Sequence, residues 1–297
     1  MISKPLVSII IPTYNHAKFL QEALQSVCNQ TFTDWEALVI NNYSEDETIN
    51  VVKNFRDPRI HLVNYRNNGI IAASRNHGIS MAKGEYLAFL DSDDMWMPEK
   101  LSICLNTLNK GCDLVCHGLL WFGNRSERNH YYGPANRSSF DKLLYEGNCI
   151  ATSATIVRKE LVQEVGGFSE RSEVVTAEDY HLWLKLAQAG IEICFIEKVL
   201  GNYRFHNNNT GSALRQANAE RYVIEEFFPR QESRNLRETI KVRFRYGIIN
   251  YGLGRSMQAN SQFLVAWPFF LKSLILHPFY IKTYIAITLN IFCIKIE

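Results

Sequence analysis

Apolar residues in this chain come in short bursts separated by polar turns, and the bursts alternate between two periods. Residues 7–11 are mostly β-branched without polar alternation, as in a strand buried on both faces. Pro12-Thr13-Tyr14-Asn15 ends that run, after which Phe19, Leu20, Ala23, Leu24 and Val27 fall on one face of a helix. A second strand at 35–40 carries Asn41-Asn42-Tyr43-Ser44 at its carboxyl end, and 46–55 reads as helix. A short strand at 60–63 and a turn at Asn67-Asn68-Gly69 lead to a helix over 70–81. Lys83-Gly84 closes that helix through a left-handed glycine cap, and residues 86–90 form the next strand. Strands and helices alternating through short links predict a parallel, three-layer α/β sheet.

Beyond Pro98 the pattern loosens. Residues 114–122, 151–157 and 191–195 read as strands, and 199–205 leads to His206. The Asn-, Arg- and Gly-rich stretch 123–139 reads as a mobile loop. A short helix over 159–165 stops at Gly166-Gly167, and 178–189 is amphipathic, with Leu182, Trp183, Leu186 and Ala187 inward. From about Ser212 onward the pattern is helical, with no internal repeat.

Composition narrows the class. The 297 residues are 46% hydrophobic and 21% charged with a formal net charge of +2, the profile of a globular protein and not of a nucleic-acid binder. The opening apolar run is too short for an export signal, and seven cysteines without paired spacing read as free thiols in a reducing cytosol. The tail departs from the rest. From Phe263 it is rich in aromatic and branched residues, broken by Pro268 and Pro278 and interrupted by Lys272 and Lys282. Two readings stay open there: a packed helical pair, or an interfacial segment on the inner face of the cell membrane.

The chemistry concentrates where the strand at 86–90 stops. Asp91, Ser92, Asp93 and Asp94 follow it directly. In open α/β sheets ligands bind outside the carboxyl ends of strands. Carboxylates crowded there repel one another and are costly to desolvate unless a cation joins them. A hard divalent ion bridging these oxygens to a phosphate resolves the conflict, so the pattern predicts a metal–nucleotide site.

Five stretches form an ordered series over roughly the first 210 residues: Ser8 to Asn15, Asn68 to Gly78, Phe89 to Asp94, Gly166-Gly167-Phe168 with Thr176 to Trp183, and Tyr203-Arg204-Phe205-His206. Any one is weak, but together they resemble family 2 glycosyltransferases of the GT-A fold. The resemblance implies a GT-A catalytic domain over 1–211 (nucleotide half 1–97, acceptor half 98–211) and a helical extension over 212–297. It implies inverting transfer from a nucleotide-diphosphate sugar, UDP-linked by preference, to a glycan or lipid-linked acceptor in surface polysaccharide assembly, with Mn²⁺ or Mg²⁺ on the diphosphate.

Residue by residue, the resemblance places Asp91 and Ser92 near the nucleoside, Asp93 on the metal and Asp179 as general base, with Glu178 shaping its surroundings. His206 is a metal or diphosphate ligand. Arg75 can clamp the diphosphate bidentately. At the end of the first strand, after Pro12, Tyr14 can stack on the base and Thr13 can bond its edge. The family carries two acids and a glycine where this chain has Asn41-Asn42-Tyr43; an asparagine carbonyl can still accept the imide N–H of uracil. Two other classes remain alongside: a sugar nucleotidyltransferase, disfavoured by Pro12 to His16 standing where a Gly-rich loop belongs, and a non-catalytic nucleotide-sugar binder, supported only by Asn41-Asn42.

Overall fold

The computed structural model describes residues 4–124, 126–206, 213–230 and 234–294. The chain folds as two compact units, Met1–Phe140 with Cys149–Asn209, and Asp141–Asn148 with Thr210–Glu297.

The first unit opens with β1 (Val7–Thr13), α1 (Ala17–Cys28), β2 (Trp35–Asn41), α2 (Thr48–Asn54), β3 (Ile60–Asn64), α3 (Ile71–Met81) and β4 (Tyr86–Phe89). It continues with β5 (Met95–Trp96), α4 (Lys100–Leu108), β6 (Leu114–Gly123) and β7 (Arg128–His130), and closes with β8 (Thr155–Arg158), α6 (Lys159–Glu164), α7 (Glu178–Gln188) and β9 (Ile193–Phe205). The sheet runs β3-β2-β1-β4-β8-β6-β9-β5, with β7 paired to β6. Only β3, β2, β1 and β4 form the parallel block that the pattern predicts. β8 is antiparallel to both β4 and β6, so the sheet beyond β4 is mixed.

The two faces of the sheet explain the absence of alternation in β1. Ile9 and Ile11 pack with Leu20, Leu24 and Leu101 in one core, on the side of α1 and α4. Ile10 points to the opposite side, where Gly78 of α3 sits so close that a Cβ would lie 2.8 Å from its Cγ2. Phe89 shares that side with Phe168 and Trp183. Helices therefore cover both faces, giving three layers.

Several local expectations change. Pro12 lies inside β1 and does not end it. In a parallel strand successive residues present their backbone groups alternately to the two neighbours. Leu90 N bonds to Ile10 O and Asn42 N to Thr13 O, so residue 12 faces β4, whose register with β1 ends at Ile10↔Phe89. The missing N–H has no partner to lose there. Gly84 is not a left-handed cap. A Cβ on it would meet Ser8 N at 2.6 Å and Val7 C at 2.8 Å, so it is a close backbone approach to β1. The stretch 123–139 is partly ordered by pairing: β7 forms a hairpin with β6, and His130 stacks on Trp121 with centroids 4.1 Å apart. The strands expected at 191–195 and 199–205 are one strand, β9, continuous through register shifts opposite His117 to Leu119. Cys112 and Cys194 are disulfide-bonded, contrary to the reading of all seven cysteines as free thiols. Their separation of 82 residues hid the pair, which β6 and β9 bring together as parallel neighbours.

The second unit holds α5 (Phe140–Glu146) from residue 141 on, with α8 (Ala213–Phe227), α9 (Leu236–Ala259), α10 (Phe263–Leu276) and α11 (Ile281–Ile291). Asn235 and Glu238 close a capping box at the start of α9. Arg245, 1% exposed, pairs with Glu220 and donates to Leu144 O at 3.1 Å. Pro268 lies within α10 and does not break it, forgoing only the bond its N–H would make. The polar run 207–211 lies outside the described residues.

Gly84→Ala should destabilise the chain by about 1–3 kcal/mol, because the obstructing atoms are backbone and cannot rotate away. Urea denaturation read by tryptophan fluorescence checks this, and an unchanged midpoint would contradict the close approach.

Candidate active site

The acidic loop leaves β4 at the carboxyl edge of the parallel block. Asp94 N turns back onto Asp91 O at 3.1 Å. Asp94 itself is 1% exposed and accepts from Arg204 N at 3.0 Å. Burial, then the charges of Asp93 and Asp91, hold its carboxyl well above the usual carboxylate range. Asp93 meets His206 Nε2 at 2.8 Å, beyond the end of β9, and Arg204 Nε donates to Asp93 O at 3.1 Å. His16 Nδ1 lies 2.9 Å from Ser92 Oγ, and its ring is edge-on to His206 with centroids 5.8 Å apart.

Opposite the acidic loop stands the start of α7. Glu178 Oε1 takes Arg75 NH1 at 2.8 Å, and Arg75 NH2 takes Asp91 Oδ1 at 2.7 Å. Glu178 Oε2 accepts from Thr176 N at 2.8 Å. Asp179, next in the chain, accepts from Thr152 Oγ1 at 3.2 Å and from Tyr180 N at 2.6 Å. Burial above all, then the neighbouring Glu178 charge, pushes the Asp179 carboxyl up to about 6, with the Tyr180 amide and Arg75 opposing. Ser153, beside Thr152, accepts from Asp91 N at 3.1 Å, so one short turn touches both the loop and the α7 acids. The chain thus brings Asp91, Arg75, Glu178 and Asp179 into one contiguous network, with Asp93 two residues further along the same loop and His206 against it.

The geometry gives three of the expected site residues partners within the protein. Arg75 is 3% exposed and its two terminal nitrogens already hold carboxylates, so it ties the loop to α7 where a diphosphate clamp was expected. Asn41 is fully buried; its carbonyl accepts from Ser44 N and Oγ, and its amide donates to Asn64, leaving no free carbonyl lone pair for a base. Asn42 commits one carbonyl lone pair to Asn67 N at 3.0 Å. Both asparagines anchor loops, and Tyr43 takes the left-handed φ of +54° that a glycine would adopt more cheaply. Thr13 is 5% exposed with a hydroxyl lacking a partner, and Tyr14 is half exposed beside it at the end of β1. His16, Thr152, Ser153 and Arg204 were not marked as functional by their sequence. Arg204 stands inside the last of the five motifs, whereas Thr152 and Ser153 carry no pattern at all.

The donor set suits a hard divalent cation: carboxylates crowded enough to hold a proton, and one imidazole. Among the described residues no group of three or more His, Cys, Asp or Glu side chains is arranged to hold a metal ion. An ion here would therefore take its remaining ligands from a bound phosphate or water.

Residues 8–166 match the family described as glycosyl transferase family 2. The chain belongs to that family, and it is a glycosyltransferase. It is 33% identical to chondroitin synthase of Pasteurella multocida over 211 residues, 69% of this chain and 21% of that protein, so the match spans about a fifth of that relative. Two solved structures share the GT-A fold. S. aureus TarS 1-349 in complex with UDP-GlcNAc aligns with a TM-score of 0.61 at 18% identity, over 91% of this chain and 89% of that one. The mannosyltransferase PcManGT from Pyrobaculum calidifontis, in complex with GDP-Man and Mn²⁺, aligns with a TM-score of 0.62 at 17% identity, over 98% and 88%.

Two outcomes follow for this glycosyltransferase. Asp179 is held above the 3.8 of an ordinary aspartate, so its contribution to stability is complete below pH about 4 and is lost as pH rises through about 6. Asp179→Asn should therefore melt higher than the parent at pH 8, and the difference should vanish near pH 4, as scanning calorimetry would record. Arg75→Met should cost about 3–5 kcal/mol by leaving Glu178 buried and unpaired. Unchanged stability in urea would return Arg75 to a phosphate-binding role alone.

Proposed function

We propose that the chain transfers a sugar, with inversion, from a nucleotide-diphosphate sugar to a hydroxyl of a glycan or lipid-linked acceptor in polysaccharide assembly. The observation that carries the reading is the Asp91–Arg75–Glu178 bridge, which sets a raised-pKa carboxylate, Asp179, beside the acidic loop.

Asp179 is ionised at neutral pH yet basic enough to accept a proton, the balance a general base needs. It takes the acceptor hydroxyl proton as that oxygen bonds to the anomeric carbon. The bond from that carbon to the diphosphate oxygen breaks on the opposite face, and its electron pair leaves with the nucleoside diphosphate. Asp93 and His206 would hold a divalent cation, Mn²⁺ or Mg²⁺, which supplies neutralisation of the departing diphosphate charge. Glu178, fixed by Arg75 and Thr176 N, keeps a negative charge beside Asp179 and raises its basicity. Tyr14 offers an exposed ring to the base, and Thr13 an unpartnered hydroxyl at its edge. Asp91 and Ser92 stand at the nucleoside side of the loop.

A UDP-sugar is the first donor to test, since TarS was solved with UDP-GlcNAc; PcManGT, solved with GDP-Man, makes guanine the control. Membership in a glycosyltransferase family favours sugar transfer over the nucleotidyl-transfer and binding-only readings.

With Mn²⁺, UDP should raise the melting temperature more than GDP, CDP or ADP, and a UDP-sugar with acceptor should release nucleoside diphosphate, not pyrophosphate. Turnover should rise with pH through about 6 and then level off. Asp179→Asn should lower kcat by about 10²- to 10⁴-fold with donor binding retained. Full-rate turnover by that variant would remove the base assignment.

A further inference from the structure

The helical pair α10 and α11 encloses a small apolar core of Ala266, Phe270 and Ala286, with polar side chains buried beside it. Ser273 and Thr283 are fully buried and share a hydrogen bond of 2.9 Å. Asn290, 2% exposed, donates to Phe263 O at 3.0 Å, and the fully buried Gln258 of α9 donates to Ala286 O at 3.0 Å. Other large apolar side chains are exposed. Leu264 is 85% exposed, Phe279 79%, Ile281 71%, Phe292 69% and Ile275 67%. Scattered exposed leucines are ordinary, but so many large apolar side chains exposed along two consecutive helices are not. In water these side chains are left uncovered. Against an apolar medium they are covered, while Ser273, Thr283 and the side-chain amide nitrogens of Asn290 and Gln258 keep their partners inside.

Charge selects the medium. Between Glu238 and Glu297 the sequence has no acidic residue, while it has Lys241, Arg243, Arg245, Arg255, Lys272, Lys282 and Lys295. Lys241 pairs with Asp141 and Arg245 with Glu220, and Arg243 donates to Ile275 O at 2.6 Å. Lys272 and Lys282 are exposed on the two apolar helices, without an ion-pair partner among the described residues. A second copy of this face would bring lysines against lysines. An anionic lipid surface presents the complementary charge, with lysine stems lying along the apolar side chains. The helices hold 14 and 11 residues, roughly 21 and 17 Å, against a hydrocarbon core of about 30 Å. No helix among the described residues is long and apolar enough to cross a membrane. A cleft of about 670 Å³ between the start of α10 and the end of α11, lined by Phe263, Leu264, Trp267 and Ile291 among others, adds an apolar recess to the same face.

We infer that α10 and α11 form a docking face for an anionic phospholipid bilayer, lying in the interface with Leu264, Ile275, Phe279 and Ile281 at the headgroup–acyl boundary and Lys272 and Lys282 at the level of the phosphates. The inference is independent of the donor and acceptor proposed above.

Vesicle flotation of the full chain tests it, comparing phosphatidylcholine alone with equal parts phosphatidylcholine and phosphatidylglycerol. The chain should float with the anionic vesicles, and raising salt should weaken the association. Lys272→Gln and Lys282→Gln should each reduce partitioning about fivefold on anionic vesicles. The combined Ile275→Glu, Phe279→Glu and Ile281→Glu variant should lose flotation altogether, while its melting temperature and its response to nucleoside diphosphate stay at parental values. Failure of the parent chain to float with either vesicle would overturn the inference. So would a soluble dimer that the triple variant dissociates and vesicles do not compete away.

Discussion

Arg75, buried between Asp91 and Glu178, is the interaction on which the catalytic arrangement depends. A guanidinium this deep is tolerable only because two carboxylates and the edge of the site surround it, and its charge stays fixed at any physiological pH. Removing Arg75 would leave the buried Glu178 carboxylate without its counter-charge. The loop after β4 and the first turn of α7, more than eighty residues apart in sequence, are therefore held at one spacing. Asn76, one residue on, completes the tie by exchanging hydrogen bonds of 2.9 Å with Phe168 N and O, where Gly167 leaves no room for a side chain. The helix α3 is thus a strut between the acidic loop and the segment around Phe168.

The acidic loop is organised by the opposite kind of constraint. Asp91 is matched by Arg75 and Asp93 by His206, but Asp94 is buried against its two neighbours and accepts mainly backbone support from Arg204. Such crowding costs stability in the absence of a cation and becomes favourable in its presence. The same logic places Asp179 where burial raises its basicity while Arg75 keeps the neighbouring charges balanced. In the helical unit, buried serine, threonine, asparagine and glutamine find hydrogen-bond partners beside a small apolar core, while many large apolar side chains of α10 and α11 stay exposed.

Much of the nucleotide half was legible because its elements are local: β-branched runs specify buried strands, and a run of carboxylates after one of them announces a ligand edge. The order of the motifs conveyed the family, since each short signature is weak by itself and the series is not. What escaped were the features made by long-range pairing. Thr152 and Ser153 touch the acids only because β8 inserts beside β4; the Cys112–Cys194 bond exists only because β6 and β9 are neighbours. The strand read at 191–195 continues to Phe205, because a register shift in a ladder has no signature in a single strand.

Residue types and their local spacing were enough to determine the three-layer class, the acidic edge and the unusual tail, while the base candidate at the start of α7 came from the family resemblance. Tertiary structure alone decided what each polar group is bonded to. Arg75 is bonded to Asp91 and Glu178, Asn41 to Ser44 and Asn64, and Gly84 is a contact with β1 instead of a cap. The physical reason is common to all three: a side chain's inventory of donors, acceptors and volume is written in the sequence, but its partners are supplied by other segments, often tens of residues away, and a buried polar group takes whichever partner the packing brings within hydrogen-bond reach.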